Sequence, residues 1–302
     1  MEQRKISISE ISEILNITPS RDSDVIINGL NLCNRKTEYE SIISYATSER
    51  FIDSIKLNKS MKSLIVNSNL YNVFKDELNS DIVYFISEEP ESAFYKLHNC
   101  LYDKTDFYDK FRFEPIIGEN CKIHKTAVIE DGVIIGNNVV IGPNSVIRSG
   151  AILKDNVSVG CCSVIGSEGF QGIKIDGKAS VIPHAGGLVL EENVWIGDNV
   201  TVGNMLFEGH VIVGKNTKID NHVHIAHNCL IGENCFITAS CLLMGSTVLD
   251  NNVWLAPNVL TMNKVHLYDN SFVGSMSLVT KDVHEGDLVV GIPAKKWEKG
   301  GK

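Results

Sequence analysis

Two residues eighteen positions apart, His227 and Gly245, are the first pair in this chain whose types could do chemistry together. A neutral imidazole takes up a proton near neutral pH, and a glycine leaves its backbone N–H open to an approaching group. Held in contact, they suit attack of an amine or alcohol on a thioester. The imidazole would remove the proton while the N–H stabilises the developing oxyanion. His222 and His224 stand close by in the same run. His224 precedes an expected core position and His222 falls nearer a turn, so both read as structural or peripheral.

Only a fold that stacks position i on position i+18 would bring His227 and Gly245 together, and the aliphatic residues describe such a fold. One recurs at every sixth position from Ile117 through Ile123, Ile129 and so on to Ile165. The beat resumes at Leu190, Ile196 and Val202, and again from Val213 through Ile219, Ile225, Ile231 and Ile237 to Leu255. It slips at Thr261 and then continues through Leu267, Val273 and Val279. A period of six belongs neither to a helix nor to a simple strand. It marks the hexapeptide repeat of a parallel β-helix, three hexads to a coil. The expected fold is therefore mainly β, a left-handed parallel β-helix with a small N-terminal α/β domain. Runs of nine, three and twelve hexads make eight coils, and a prism roughly 40 Å long at about 4.8 Å per coil. His227, two residues after core Ile225, should lie at a corner or edge with Gly245 one coil above it. Two insertions interrupt the repeat, Gly166 to Gly187 and Asn204 to Gly209. The first carries the glycines and alternation of a small hairpin, and insertions on a solenoid tend to gather on the working face.

Three segments follow from the pattern: an α/β domain at 1–112, the β-helix at 113–284 and a short tail at 285–302. In the first, Ser7 and Glu10 have capping-box spacing, and Ile8, Ile11, Ile14 and Leu15 form one apolar face, predicting a helix to about Leu15. Runs at 42–45, 64–66 and 83–86 read as strands, and a second helix should start at Pro90 with Phe94, Leu97 and Leu101 on one face. A mixed sheet with helices against it is expected.

The formal charge of −9 and pI near 5.5 argue against sequence-independent nucleic-acid binding, which needs a clustered basic surface. No apolar stretch reaches membrane-spanning length, and the polar start is unlike a secretory signal, so a cytoplasmic protein without a transmembrane segment is expected. Of eight cysteines none forms a CxxC pair. Cys229, Cys235 and Cys241 each lie four residues after a core aliphatic, which reads as buried free thiols serving as small hydrophobes, and no metal is expected.

An N-terminal α/β domain before a hexapeptide prism, with Val164-Ile165-Gly166-Ser167-Glu168-Gly169-Phe170 and then Lys218-Ile219-Asp220-Asn221-His222-Val223-His224-Ile225-Ala226-His227-Asn228, resembles the UDP-3-O-acylglucosamine N-acyltransferases of lipid A biosynthesis. The likeness runs from residue 6 to about 295. It implies a cytoplasmic homotrimer with active sites between neighbouring prisms. Donors would be an acyl-CoA or a 3-hydroxyacyl carrier protein, with no tightly bound cofactor and no covalent enzyme intermediate. The acceptor would be the amine of a UDP- or dTDP-linked sugar. The resemblance makes His227 the general base, Gly245 the oxyanion N–H donor, and Asp220 and Asn221 part of the sugar site. In the N-terminal domain it makes Tyr45 and Phe51 the aromatics that sandwich a uracil, with Ser48 where the family has an amide side chain.

The departures point elsewhere within the same class. Asn204-Met205-Leu206 replaces an Asp-Arg-Gly segment, and Lys264 stands where the family has a second histidine near the substrate phosphates. Lysine still supplies a cation to a diphosphate, and His266 is a possible substitute. The family's C-terminal helical region is not matched after Ile292-Pro293-Ala294, which favours a CoA donor for a surface-polysaccharide sugar over a long-chain carrier protein. Two other classes stay open, a non-catalytic hexapeptide scaffold and a zinc-dependent prism of carbonic-anhydrase type.

Overall fold

The computed structural model of the chain describes residues 5–35, 37 and 39–297. These form two compact units, 1–109 with 171–183, and 110–170 with 184–302.

The second unit is a left-handed parallel β-helix of hexapeptide repeats. Each hexad lays down one short strand, from Ile116–Ile117 to Leu278–Val279, in three parallel sheets. The first and third sheets have eight strands; the second has ten, because Leu288–Val290 and Lys295–Lys296 extend it past the expected boundary at 284. Regular steps are eighteen residues, as where Ile134 pairs with Ile116 and Ile152. The first insertion lengthens a step to thirty-seven (Ile152 to Val189) and the second to twenty-three (Val189 to Ile212). Inward aliphatics from Ile135 to Val279 close the core. The first coil is the exception: Ile117 is 48% exposed, and Ile123 and Ile129 are only partly buried, since among the described residues no further coil stacks beneath them.

No slip occurs at Thr261. Leu243 pairs with Thr261 and Thr261 with Val279 in unbroken register, and Thr261 is fully buried. Its hydroxyl lies 2.9 Å from that of Thr247, which donates to the Met244 carbonyl, so a polar side chain is satisfied inside the aliphatic column.

The corners turn on residues with positive φ. Between the first and second sheets all eight such residues from Asn120 to Asn270 are asparagine, which tolerates the left-handed region. The other two corners break this rule with Cys162, His222, Ser240 and Met276 at one, and Ser246 and Lys264 at the other. Departures from asparagine thus gather away from the first corner.

The first unit is built on a sheet in the order β1 (Gly29–Leu30), β2 (Ile42–Tyr45), β3 (Met61–Val66), β4 (Val83–Ile86). Every pairing in it is parallel, so it is not the mixed sheet expected. Helices α2 (Ile52–Leu57) and α3 (Ser68–Glu77), which the periodicity did not signal, provide the crossovers that parallel strands require. Helix α1 (Ile8–Leu15) has its capping box, with Ser7 accepting from Glu10 N and the Glu10 carboxylate accepting from Ser7 N. Helix α4 (Pro90–Lys104) buries Phe94, Leu97 and Leu101 as expected. The first unit ends at 109 and also takes back the hairpin of Gln171–Ile175 and Lys178–Ile182. Lys96 pairs with Asp176 at 2.6 Å and His98 Nε2 lies 2.9 Å from the Pro183 carbonyl oxygen, so the hairpin is anchored on α4. The 1–112 limit is corrected accordingly. Among the described residues no helix is long and apolar enough to cross a membrane.

Candidate functional site

The chain leaves the third sheet after His224–Ile225, turns through Ala226-His227-Asn228 and enters the first sheet at Leu230–Ile231. One coil on, Met244-Gly245-Ser246 makes the same turn. Ser246 N donates to the His227 carbonyl at 3.0 Å, and Lys264 N to the Gly245 carbonyl at 3.1 Å, so the three turns stack. The imidazole lies across the glycine: a Cβ on Gly245 would sit 2.9 Å from His227 Cε1 and Nε2. Gly245 is buried beneath the ring, and among the described residues no hydrogen bond engages its N–H. The eighteen-residue ruler therefore placed this pair correctly. Both insertions open from this same corner, between Val164–Ser167 and Gly187–Leu190 and between Thr201–Gly203 and His210–Val213.

Behind His227 stand residues that sequence reasoning missed. The His184 side chain is fully buried and meets the His227 ring edge-on, centroids 5.2 Å apart at 67°. Glu168 Oε1 accepts from His184 N at 2.6 Å and lies 3.5 Å from Nδ1. Burial works to raise the Glu168 pKa, but the hydrogen bonds and charge of His184 outweigh it and hold the carboxyl below its ordinary value. Gly169 has no room for a side chain, since its Cβ would meet His184 Nε2 and lie 2.8 Å from His227 Cβ. Asn228, 6% exposed, places its amide nitrogen 2.9 Å from His227 Nδ1 and accepts from Leu206 N at 2.8 Å. Leu206 and Phe207 are buried, so the shorter insertion packs down rather than looping free. His184 leaves the longer insertion, where no period exists to flag it. Asn228 looks in sequence like any other corner asparagine.

The remaining candidates divide. Lys264 is exposed at the His227 corner, two coils on, in the left-handed region at φ 69. His266 belongs to the next strand; its Nε2 lies 2.8 Å from Asp250 Oδ1 and its ring stacks on Tyr268 at 4.0 Å. Asp220 and Asn221 sit at the preceding corner, roughly 15–20 Å away around the coil at six residues of extended chain. There Asp220 Oδ1 accepts from Asn221 N and Asn221 Oδ1 from Asp198 N, both at 2.7 Å. A single chain does not bring them to His227. His222 is the left-handed residue of that corner, and His224 lies outward on the third sheet. Cys229, Cys235 and Cys241 are buried thiols outside any disulfide, and burial pushes the last two up to about 11, which leaves them un-ionised at neutral pH.

In the first unit Tyr45 ends β2. Its hydroxyl donates to Glu91 Oε1 at 2.8 Å and its ring packs on Phe94 and Tyr95. Burial, with Tyr95 and Glu91 nearby, raises its pKa well above the usual phenol value. Ser48 caps the short 3₁₀ turn Glu49–Phe51, and Phe51 carries the Arg50 guanidinium 4.7 Å from its ring centre. Part of each aromatic surface is thus already covered, Tyr45 by α4 and Phe51 by Arg50.

Among the described residues no three His, Cys, Asp or Glu side chains gather in a metal-binding arrangement. Residues 114–149, 134–167 and 210–245 match the family "Bacterial transferase hexapeptide (six repeats)", and the last of these spans His227 and Gly245. No curated protein matches the chain. Among solved structures, a UDP-N-acetylglucosamine acyltransferase from Bacteroides fragilis is 24% identical, over 63% of this chain and 73% of that one, with TM-score 0.47. A UDP-N-acetylglucosamine O-acyltransferase from Moraxella catarrhalis is also 24% identical, over 59% and 72%, with TM-score 0.40. The polySia-specific acetyltransferase NeuO is 19% identical, over 62% and 86%, with TM-score 0.37.

Proposed function

We propose that the protein is an acyltransferase that moves an acyl group from a thioester to the amine of a nucleotide-linked sugar. The observation that carries the reading is His227 lying across Gly245 at the corner where both insertions open. In this reading the amine nitrogen attacks the thioester carbonyl carbon while His227 takes the amine proton. Gly245 N–H donates to the oxyanion; the carbon–sulfur bond then breaks, and the imidazolium returns the proton to the departing thiolate. The products are an amide and a free thiol. No metal or covalent enzyme intermediate is required.

Lys264, at the same corner, offers a cation to the diphosphate of a UDP- or dTDP-sugar, and Tyr45, Ser48 and Phe51 are assigned to the nucleotide base, Arg50 moving aside. The donor is an acyl-CoA or an acyl carrier protein, and the reaction is cytoplasmic. Asp220 and Asn221 are too far from His227 in one chain to meet it at the reacting amine. A cyclic trimer, whose heterologous contact sets one corner of a copy against a different corner of its neighbour, would unite them. Mixing inactive His227→Ala and Asp220→Ala chains by unfolding and refolding should then restore activity at about a quarter of the sites, the fraction that random cyclic assembly leaves intact. No recovery on mixing, with trimers formed, would mean that the two residues serve one site within a chain or none at all.

A further inference from the structure

Of the twelve asparagines at left-handed corners of the prism, Asn228 is the one that is buried among the described residues. Its amide bonds at once to the backbone of the 204–209 insertion and to the ring of His227. The identity of its atoms follows from the partners. A backbone N–H only donates, so the Asn228 atom that meets Leu206 N at 2.8 Å is the carbonyl oxygen. The atom 2.9 Å from His227 Nδ1 is therefore the NH2 group, which also only donates. Nδ1 must accept, and a neutral ring then carries its proton on Nε2, the nitrogen that lies over Gly245.

A ring in that state presents a donor where a base needs a lone pair. The opposite tautomer requires an acceptor facing Nδ1–H, and rotating the Asn228 amide by half a turn supplies one. The same rotation turns the NH2 group toward Leu206 N–H and breaks that one bond to the insertion, which stays tied at the Leu206 carbonyl by Ala185 N at 3.0 Å.

We propose that Asn228 is a positioning residue that couples the tautomer of His227 to the 204–209 insertion: with Leu206 held, Nε2 is protonated, and Nε2 becomes a proton acceptor when Leu206 is released. The exchange goes through water, one proton leaving Nε2 and another entering Nδ1, with no net change in charge. Asn204-Met205-Leu206, where the chain departs from the lipid A enzymes it resembles, thereby acquires a role. The catalytic consequence rests on His227 being the base, but the tautomer itself does not.

The test is two-bond ¹⁵N–¹H correlation of the histidine rings in the intact protein at pH 8, with His227→Ala to assign the signal. Wild type should show Nε2 protonated and Nδ1 as the acceptor. Asn228→Asp, whose carboxylate accepts from both Leu206 N–H and Nδ1–H, should reverse this and keep the fold, because Asp also tolerates the left-handed corner. Wild type with Nδ1 protonated, or an Asp variant with the tautomer unchanged, would overturn the coupling. Kinetics add a second readout. Asn228→Ala should lower kcat about 10–100-fold, the range seen when a group orienting a working imidazole is removed, with KM little changed and Asn228→Asp largely active. Should His227→Ala keep full turnover while the tautomer result holds, the general-base reading fails and the coupling survives.

Discussion

Replacing His227 with alanine is expected to lower kcat for acyl transfer by about 10²–10⁴-fold, the usual worth of a positioned general base. The side chain is half-buried at a corner and adds nothing to the aliphatic column, so the thermal midpoint and KM for the nucleotide sugar should change little. Because the base removes a proton only as the carbon–nitrogen bond forms, the loss falls on the chemical step rather than on binding. Steady-state thiol release on the purified variant, beside a melting curve, measures both. Turnover within about tenfold of wild type would remove His227 from the mechanism.

Gly245→Ala carries the second large effect. The backbone at 245 is not in the left-handed region, so alanine brings no torsional strain, and the three atoms nearest the new methyl group all belong to the imidazole, Cε1 and Nε2 at 2.9 Å. That contact is tighter than packing allows, but the obstacle is a side chain that can swing aside. The expected result is an intact fold with a displaced ring, and about a 10²-fold loss of kcat, the scale of a small misplacement of reacting groups. Gly214 is the contrasting case: its Cβ would meet the Gly232 backbone at 2.5 Å. Alanine there should lower the melting temperature and leave the His227 corner alone. Equal activity of Gly245→Ala and wild type would separate the glycine from catalysis.

The prism was legible because a solenoid repeats one local rule. Each aliphatic that faces the axis recurs after one side of the triangle, so period located the strands of the regular coils and put Gly245 over His227. The same rule misled at Thr261, where a threonine fills an aliphatic position by bonding to Thr247 and pattern reading sees a break. Helix α2 escaped notice because it is six residues long and buries only Ile55; α3 buries just Leu70 and Phe74, too few apolar positions to stand out in the pattern. The boundary at 112 missed the hairpin 171–182 because membership of a unit is decided by contacts such as Lys96 with Asp176, which no linear reading shows. In the site, His184 lies at the exit of an insertion, and Asn228 has the residue type that turns most corners of the prism; burial and partners set them apart, and both are properties of the fold.

The central claim is acyl transfer to the amine of a nucleotide sugar at the His227 corner. The most direct test follows thiol release from acetyl-CoA, 3-hydroxybutyryl-CoA and an acyl carrier protein in the presence of UDP- and dTDP-amino sugars, with the product identified by mass and by its resistance to hydroxylamine. The account predicts acceptor-dependent thiol release and a hydroxylamine-stable amide, both abolished in His227→Ala. An ester product, or no acceptor-dependent release from any of these donors, would contradict it.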